Sequence, residues 1–225
     1  VNVTFLRDGQ VLELTMERRM IQQAVAEWQM LPDNIGYIKI NNFNTNCSAQ
    51  SIQAVTELID QGATALIFDV RNNPGGYKSE LVKVLDYLLP EGNLFRSLFY
   101  TGEELVDTSD EKCLEMPMMV LVNESSYSAA EFFAAALREY EWAVLVGSQT
   151  QGKGHYQETY LLSDGSAVGV STGRYTTPKG VDLEGVGLTP DVVVEVDDET
   201  FENIYLGNLK PLEDPQIQAA IKALQ

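Results

Sequence analysis

The sequence has few of the residues on which metal sites and nucleic-acid binding depend. Its 225 residues include one His, and its 15 Lys plus Arg stand against 33 Asp plus Glu, which gives a formal net charge of −18. A single His excludes a His-based zinc cluster, and the phosphate loop G-x-x-x-x-G-K-[ST] is missing. These two absences predict no metal and no cofactor. Because an acidic chain repels phosphate backbones, we also expect no nucleic-acid partner.

Cysteine and long apolar runs are also scarce. Cys47 and Cys113 are too few for a disulfide scaffold and lack metal-ligand spacing, which favours two free thiols, with a single bridge as the alternative. No run approaches the roughly 18 apolar residues that span a bilayer, and the first residues do not form a signal peptide. Since the first residue is Val1, we expect a piece of a longer protein, whose export signal would lie upstream.

The residues that are present fit an ordinary globular domain, with 44% hydrophobic and 21% charged residues. Turn residues between alternating segments predict β-hairpins over residues 3–14, 24–40 and 156–172. Short runs that are apolar on both faces predict buried strands at residues 65–70, 118–122 and 143–146. The segment 191–196 is also strand-like, whereas the acidic segment 101–115 is interpreted as a solvated loop.

Helical spacing of apolar residues alternates with these strands. It predicts a helix from Ser48, as N-cap, to Gly62, a second that ends before Pro90, and others over residues 129–140 and 217–224. Strands that alternate with helices over this length indicate an α/β domain with a mixed sheet.

A group of serines in VLVNESSYSAAEFF lies where a buried strand gives way to a helix. Ser125, Ser126 and Ser128 stand beside backbone amides that have no partner within the helix, at the positive end of its dipole. Such a site can stabilise an oxyanion next to a hydroxyl nucleophile. N-capping is the commoner role of a serine before a helix, so this motif alone leaves both interpretations open.

A serine nucleophile needs a base, and the segment TQGKGHYQ offers Lys153 and His155. A lysine amine must lose about 3 pKa units from its ordinary value of about 10.4 to act near neutral pH, at a cost of about 4 kcal/mol. Burial in an apolar pocket can shift a lysine this far. Gln157 is four residues after Lys153, an even step along a strand, so we expect its side chain on the same face, where it can orient the amine.

The segment FDVRNNPGG follows the first buried strand and ends in two glycines. Gly75 and Gly76 allow main-chain N–H groups to approach a substrate carbonyl closely, whereas Pro74 has no N–H to donate. A plain turn explains this motif by itself equally well.

Together these segments resemble the carboxyl-terminal processing peptidases, or tail-specific proteases, which are serine endopeptidases with a Ser/Lys dyad. The resemblance runs through IGYIKINNF, DVRNNPGG, VLVNESSYSAAE, LVGSQTQGKGHYQ, LSDGSAVGVSTGRYTTPKG and GVGLTPDVVVE, which lie in this order between residues 35 and 195. It implies a crotonase-like fold, a spiral of β-β-α units. It also implies that Ser128 is the nucleophile, that Lys153, 153 − 128 = 25 residues later, is the general base, and that Gln157 supports the lysine.

The same resemblance implies an oxyanion hole formed by the amide of Ala129 and that of Gly75 or Gly76. It further implies protein or peptide substrates with accessible C-terminal tails and a location outside the cytoplasm, whether periplasmic, cell-envelope or secreted. The sequence leaves the oligomeric state open, and an oligomer is compatible with it.

Two features depart from the family pattern. Family members usually carry a PDZ domain before residue 35, and here only residues 1–19 look like the tail of such a domain or like an N-terminal hairpin. The catalytic domain is therefore expected over residues 20–225. Tyr127 is the second departure, because small residues are common at this position.

Two other functions are compatible with parts of the same sequence. A non-catalytic binding module of the same fold is one, although a carrier gains nothing from a buried lysine that is costly to neutralise. A hydrolase that uses His155 as its base is the other, but no acidic residue to orient this imidazole is identifiable in the sequence.

Overall fold

The computed structural model describes residues 1–19 and 24–225. The helices are α1 (Cys47–Asp60), α2 (Lys78–Leu88), α3 (Ala129–Glu139), α4 (Asp198–Leu206) and α5 (Pro215–Leu224). The strands are β1 (Asn2–Arg7), β2 (Gln10–Thr15), β3 (Ala26–Leu31), β4 (Ile35–Ile40), β5 (Ala65–Asp69), β6 (Gly92–Phe99), β7 (Glu104–Ser109), β8 (Met118–Val122), β9 (Ala143–Gly147), β10 (His155–Leu161), β11 (Ala167–Thr176) and β12 (Val192–Val193).

The larger sheet has the strand order β12-β9-β8-β5-β4-β3, and its pairs are parallel except for the antiparallel pair of β3 and β4. Successive residues of its strands point to opposite faces. Leu66 and Phe68 of β5 pack with helices α1, α2 and α3, whereas Ala65 and Ile67 belong to the cluster that contains Ile217 of α5. Helices therefore cover both faces, which explains why the central strands are apolar throughout.

A second sheet is antiparallel and has the order β10-β11-β6-β7. It places β10, which begins two residues after Lys153, beside β11. Strands β1 and β2 form a separate hairpin. The predicted α/β class with a mixed sheet and added hairpins is confirmed. The predicted domain boundary between residues 19 and 20 stays a prediction, because residues 20–23 lie outside the described part.

A buried ion-pair network connects α5 to the end of β5. The guanidinium of Arg71 lies 2.6 Å from Asp69 Oδ2 and 2.8 Å from Asp214 Oδ2, and it also donates to Gln216 Oε1. Asp214 is the N-cap of α5. The end of the chain is thereby attached to the residues that immediately precede the turn with Gly75 and Gly76.

Several local predictions were wrong. Asn46, not Ser48, is the N-cap of α1, and the Ser48 hydroxyl instead donates to Glu80 Oε2 at 2.7 Å. The acidic segment 101–115 is not only a loop, because it contains β7, which pairs with the unpredicted β6. The strand expected over 191–196 is limited to Val192–Val193, and α4 was missed.

The cysteines are free: Cys47 is buried in the core and Cys113 is half-buried. Within residues 1–19 and 24–225, no helix has the length and apolarity that a bilayer crossing requires.

Candidate active site

Ser128 lies at the sharp turn between β8 and α3. It is the N-cap residue of α3, with φ 57° and ψ −125°. Positive φ is unfavourable for a residue with a side chain, and such strain is concentrated at functional sites. A serine held on a strained strand-to-helix turn is the arrangement that presents the hydroxyl of hydrolase nucleophiles.

Glu131, in the first turn of α3, is fully buried and connects Ser128 to the Lys153 loop. Its Oε2 accepts hydrogen bonds from the backbone amides of Ser128, at 3.0 Å, and Lys153, at 2.9 Å. Its Oε1 accepts from the Gly152 amide at 2.7 Å and from the Thr150 hydroxyl. Every donor therefore points at one carboxylate, which fixes the two loops relative to each other.

The turn with the two glycines lies against Ser128. A Cβ at Gly75 would come within 2.8 Å of both the Ala129 nitrogen and Ser128 Cβ, and Gly75 has φ +86°. A Cβ at Gly76 would come within 2.5 Å of the Phe43 carbonyl. Glycine is therefore required at both positions by space as well as by backbone conformation.

The predicted oxyanion-hole amides differ in their hydrogen bonds. The Gly75 amide donates to Asn73 Oδ1 at 2.8 Å. The amides of Gly76 and Ala129 have no acceptor among the described residues. Ala129 is the first residue of α3, so its amide also lacks an intrahelical partner.

The Lys153 side chain is half-buried, and its Nζ lies 5.7 Å from the centroid of the Tyr127 ring. In the described ranges this amine has no hydrogen bond to Ser128 or to Gln157. The Gln157 amide instead donates to Ser171 Oγ at 3.3 Å. The same-face argument for Gln157 fails, because Lys153 precedes β10 and the register of β10 shifts between Tyr156 and Gln157.

His155 has an acidic neighbour that the sequence did not reveal. Its Nδ1 lies 2.8 Å from Glu184 Oε2. Burial opposes ionisation of Glu184, but hydrogen bonds from the Gly154 amide and from His155 lower the pKa of this carboxyl. The pair is distant in sequence, which is why spacing could not indicate it.

Ser126 has a structural role, because its side chain is occupied by backbone hydrogen bonds. Its buried hydroxyl donates to the Val70 carbonyl at 2.7 Å and accepts from the Asn123 amide at 3.0 Å. It therefore connects the turn before α3 to the end of β5.

Tyr175 is a candidate that the sequence did not single out. Its ring packs among aromatic rings, 5.0 Å from Phe95, 5.3 Å from Phe132 and 5.0 Å from Tyr156. Burial raises the pKa of Tyr175, the neighbouring Tyr156 acts in the same direction, and the close Ser128 side chain opposes them. The hydroxyl is therefore neutral, and it lies close to the Ser128 side chain.

An open cavity of about 310 Å³ lies beside this site. Its lining includes Gly76, Phe99, Gln157 and Tyr175. It joins the glycine turn to the second sheet.

Comparison with known proteins identifies the family. The model of peptidase family S41 matches residues 34–194. The chain belongs to this family. The matched range contains the Ser128 turn, the Lys153 loop and the glycine turn, and the predicted resemblance to carboxyl-terminal processing peptidases is confirmed.

Two relatives show how much of each protein the similarity includes. This S41 chain is 34% identical over 217 residues to the carboxyl-terminal-processing protease of Synechocystis sp., and the aligned region covers 94% of this chain and 50% of that protein. It is 38% identical over 163 residues to the chloroplastic C-terminal processing peptidase of Tetradesmus obliquus, with coverage of 72% and 35%. The chain thus spans half or less of the length of these relatives.

Solved structures agree with this assignment to family S41. The photosystem II D1 C-terminal processing protease matches with a TM-score of 0.70 and 33% identity, over 83% of this chain and 52% of that one. A putative S41 protease from Bacteroides fragilis matches over 99% of this chain and 65% of that one, with a TM-score of 0.72. At 17% identity this second likeness shows the fold alone.

Proposed function

We propose that this S41 chain is a serine endopeptidase that cleaves proteins near their C-termini with a Ser/Lys dyad. The observation that carries the proposal is that the amides of Ser128 and Lys153 share one oxygen of the buried Glu131. This bond network brings the backbones of the proposed nucleophile and base to a single carboxylate. Gln157 is proposed to orient the lysine amine once the site is assembled.

The proposed reaction is acyl transfer through Ser128. The neutral Lys153 amine accepts the hydroxyl proton while Oγ forms a bond to the substrate carbonyl carbon. The resulting ammonium returns this proton to the leaving amine as the peptide C–N bond breaks. Water then attacks the acyl ester in the same way and releases the new C-terminal carboxylate.

The negative oxygen of the tetrahedral intermediate is proposed to bind the Ala129 amide and one glycine amide. Gly76 has a free amide among the described residues, whereas Gly75 would have to release Asn73 Oδ1. The neutral Tyr175 hydroxyl lies close to Ser128 and is proposed to donate to the same oxygen.

The proposed substrates are proteins or peptides with accessible C-terminal tails, and the proposed location is outside the cytoplasm. Both follow from the family, whose relatives include C-terminal processing peptidases named as chloroplastic. An oligomer is compatible with this proposal.

The test is cleavage of an unstructured protein that ends in small apolar residues. We expect Ser128→Ala and Lys153→Ala each to lower kcat by more than about 1,000-fold, because removal of a nucleophile or its base has an effect of this order. Ser126→Ala is the matched control: it removes a buried hydroxyl two residues away and should retain turnover in its folded fraction. Equal rates in all variants would remove the dyad, and binding without cleavage by wild type would favour the non-catalytic module.

A further inference from the structure

We propose that Tyr127 is a positioning residue that holds the Lys153 ammonium in a standby position, away from the Ser128 hydroxyl. The proposal rests on the proposed function, in which Lys153 is the base. Lys153 Nζ lies 5.7 Å from the centroid of the Tyr127 ring, and an ammonium within about 6 Å of a ring centroid is attracted by the ring quadrupole. Within residues 1–19 and 24–225, no carboxylate forms an ion pair with this amine.

A cation–π contact distinguishes the charged from the neutral form of an amine. A ring face attracts the charged ammonium and not the neutral amine. Every interaction that favours the charged form disfavours the form that can accept the Ser128 proton. The amine must therefore leave the Tyr127 ring before it can act as the base.

Only the lysine side chain has to move, because its backbone is fixed on both sides. The amides of Gly152 and Lys153 donate to Glu131, and the Gly154 amide donates to Glu184 Oε2 at 2.6 Å. The four-carbon stem of a lysine is flexible, so rotation about its bonds can transfer the amine between two positions while the loop stays in place.

The backbone of Tyr127 is held in place next to the proposed oxyanion hole. The Tyr127 amide donates to the Asn73 carbonyl at 3.1 Å, and its own carbonyl accepts from the Ala130 amide. Asn73 also binds the Gly75 amide. The standby position is therefore attached to both sides of the proposed oxyanion hole.

Other charged groups near the loop have partners of their own, and Tyr127 is not among these partners. Glu131 of α3 is occupied by its backbone and hydroxyl donors, and Glu184 pairs with His155 of β10. Asp182 pairs with an arginine of β11, and burial keeps the Tyr175 hydroxyl neutral. A difference in pH dependence between Tyr127 variants therefore reports the ring.

The test measures kcat/KM against pH with a quenched fluorescent peptide that ends in small apolar residues. Wild type is compared with Tyr127→Phe, Tyr127→Trp and Tyr127→Leu. We expect Tyr127→Leu to lower the midpoint of the acidic limb by about half a pH unit to one unit, and so to raise kcat/KM about three- to tenfold below that midpoint. Tyr127→Phe should keep the wild-type midpoint, and Tyr127→Trp should raise it, because Trp binds cations best.

The ring-for-ring variants keep the test decisive if Tyr127→Leu fails to fold. The standby position is overturned if wild type, Tyr127→Phe and Tyr127→Trp share one midpoint of the acidic limb while Tyr127→Leu either has the same midpoint or does not fold. Competitive acetylation of the Lys153 amine across pH, in Ser128→Ala protein, gives the same comparison without catalysis. Ser128→Ala and Lys153→Ala separate the two proposals: full activity in either disproves the dyad, whereas their inactivity with an unmoved Tyr127→Leu profile disproves only the standby position.

Discussion

The backbone amides of Ser128 and Lys153 donate to the same carboxylate oxygen, Glu131 Oε2, at 3.0 and 2.9 Å. This places the strained turn before α3 and the loop before β10 at a fixed distance through one side chain. The nearby Gly152 amide and Thr150 hydroxyl bind the other oxygen. Because Glu131 is fully buried, these donors have no water to replace it.

Replacement of Glu131 by Gln should therefore affect both stability and activity. An amide presents one acceptor oxygen and one NH₂ donor, so one of the two pairs of donors loses its acceptor, and each pair contains at least one backbone amide. We expect Glu131→Gln to lower the free energy of unfolding by about 3 kcal/mol, since each buried unsatisfied group costs about 1–3 kcal/mol. The folded protein should lose roughly 100-fold in kcat/KM through misplacement of the dyad.

Glu141→Gln is the control for this variant. Glu141 is an exposed residue just after α3, where substitutions change stability by about 0.5 kcal/mol or less. Urea denaturation and peptide cleavage measure the two effects. Wild-type values of both in Glu131→Gln would show that the shared carboxylate does not position the site.

Addition of a methyl group at Gly75 should block the site. Its Cβ would lie 2.8 Å from the Ala129 nitrogen, in the space where a substrate oxygen is proposed to bind. Gly62→Ala is a matched control, because Gly62 also has positive φ, +97°, but no atom within 4 Å of the added Cβ. We expect Gly62→Ala to lose about 1 kcal/mol of stability through its backbone conformation. Gly75→Ala should lose more, because the added Cβ also meets backbone atoms, and only its folded fraction should lose peptide cleavage. Equal activities would contradict the placement of the oxyanion hole.

The two thiols should react very differently. Burial raises the pKa of the Cys47 thiol to about 12, the hydrogen bond with Ser51 opposes this shift, and Glu80 adds to it. At pH 8 the thiolate fraction of Cys47 is therefore only about 1 in 10,000, and the thiolate is the reactive form. We expect a thiol-specific disulfide reagent to modify one thiol per native chain, Cys113, and two in denaturant. Fast reaction of native Cys113→Ser protein would contradict this.

Acid should weaken the network around Arg71. Burial opposes ionisation of Asp69, but the Arg71 guanidinium and its hydrogen bonds hold the pKa of this carboxyl below its ordinary value. A lowered pKa contributes stability that is complete above the unfolded value of about 3.9 and is lost as pH falls below it. We expect Arg71→Met to cost about 3–5 kcal/mol at pH 7, because it leaves buried carboxylates unpaired.

The same variant should lose less additional stability between pH 4 and pH 2 than wild type does. Arg174→Met serves as the control, since this arginine pairs with Asp182 at 3.3 Å on the surface, where a pair contributes about 1 kcal/mol or less. Urea unfolding at pH 7, 4 and 2 provides the comparison. Parallel pH profiles for wild type and Arg71→Met would argue against the network.

Local sequence patterns predicted the strands and turns whose conformation depends on residues close together in the chain. The apolar runs of β5, β8 and β9 and the turn residues of the hairpins needed no knowledge of distant residues. Strands β6 and β7 were missed because β7 is a largely exposed, acidic strand whose partner is β6. The Ser48 prediction failed because Asn46, in a left-handed conformation, begins the helix two residues earlier.

For the candidate site, too, the sequence indicated the residues that lie in local motifs but not the contacts between distant segments. Ser128, Lys153, Gly75 and Ala129 came from motifs, and the structure brings their backbones together. The pairing of His155 with Glu184 and the approach of Tyr175 to Ser128 depend on contacts between distant segments. Glu131 did carry a signal, since a lone acidic residue in the apolar run AAEFFAAAL must be buried with partners.

The Arg71 network has a consequence for protein synthesis. Arg71 and its partner Gln216 are 145 residues apart in the chain. A ribosome therefore releases the strand that carries the guanidinium long before it makes the acid and amide that complete its neutralisation. The guanidinium therefore stays incompletely paired beside the glycine turn until α5 has been made and has packed against the end of β5, so this turn reaches its final surroundings late in folding.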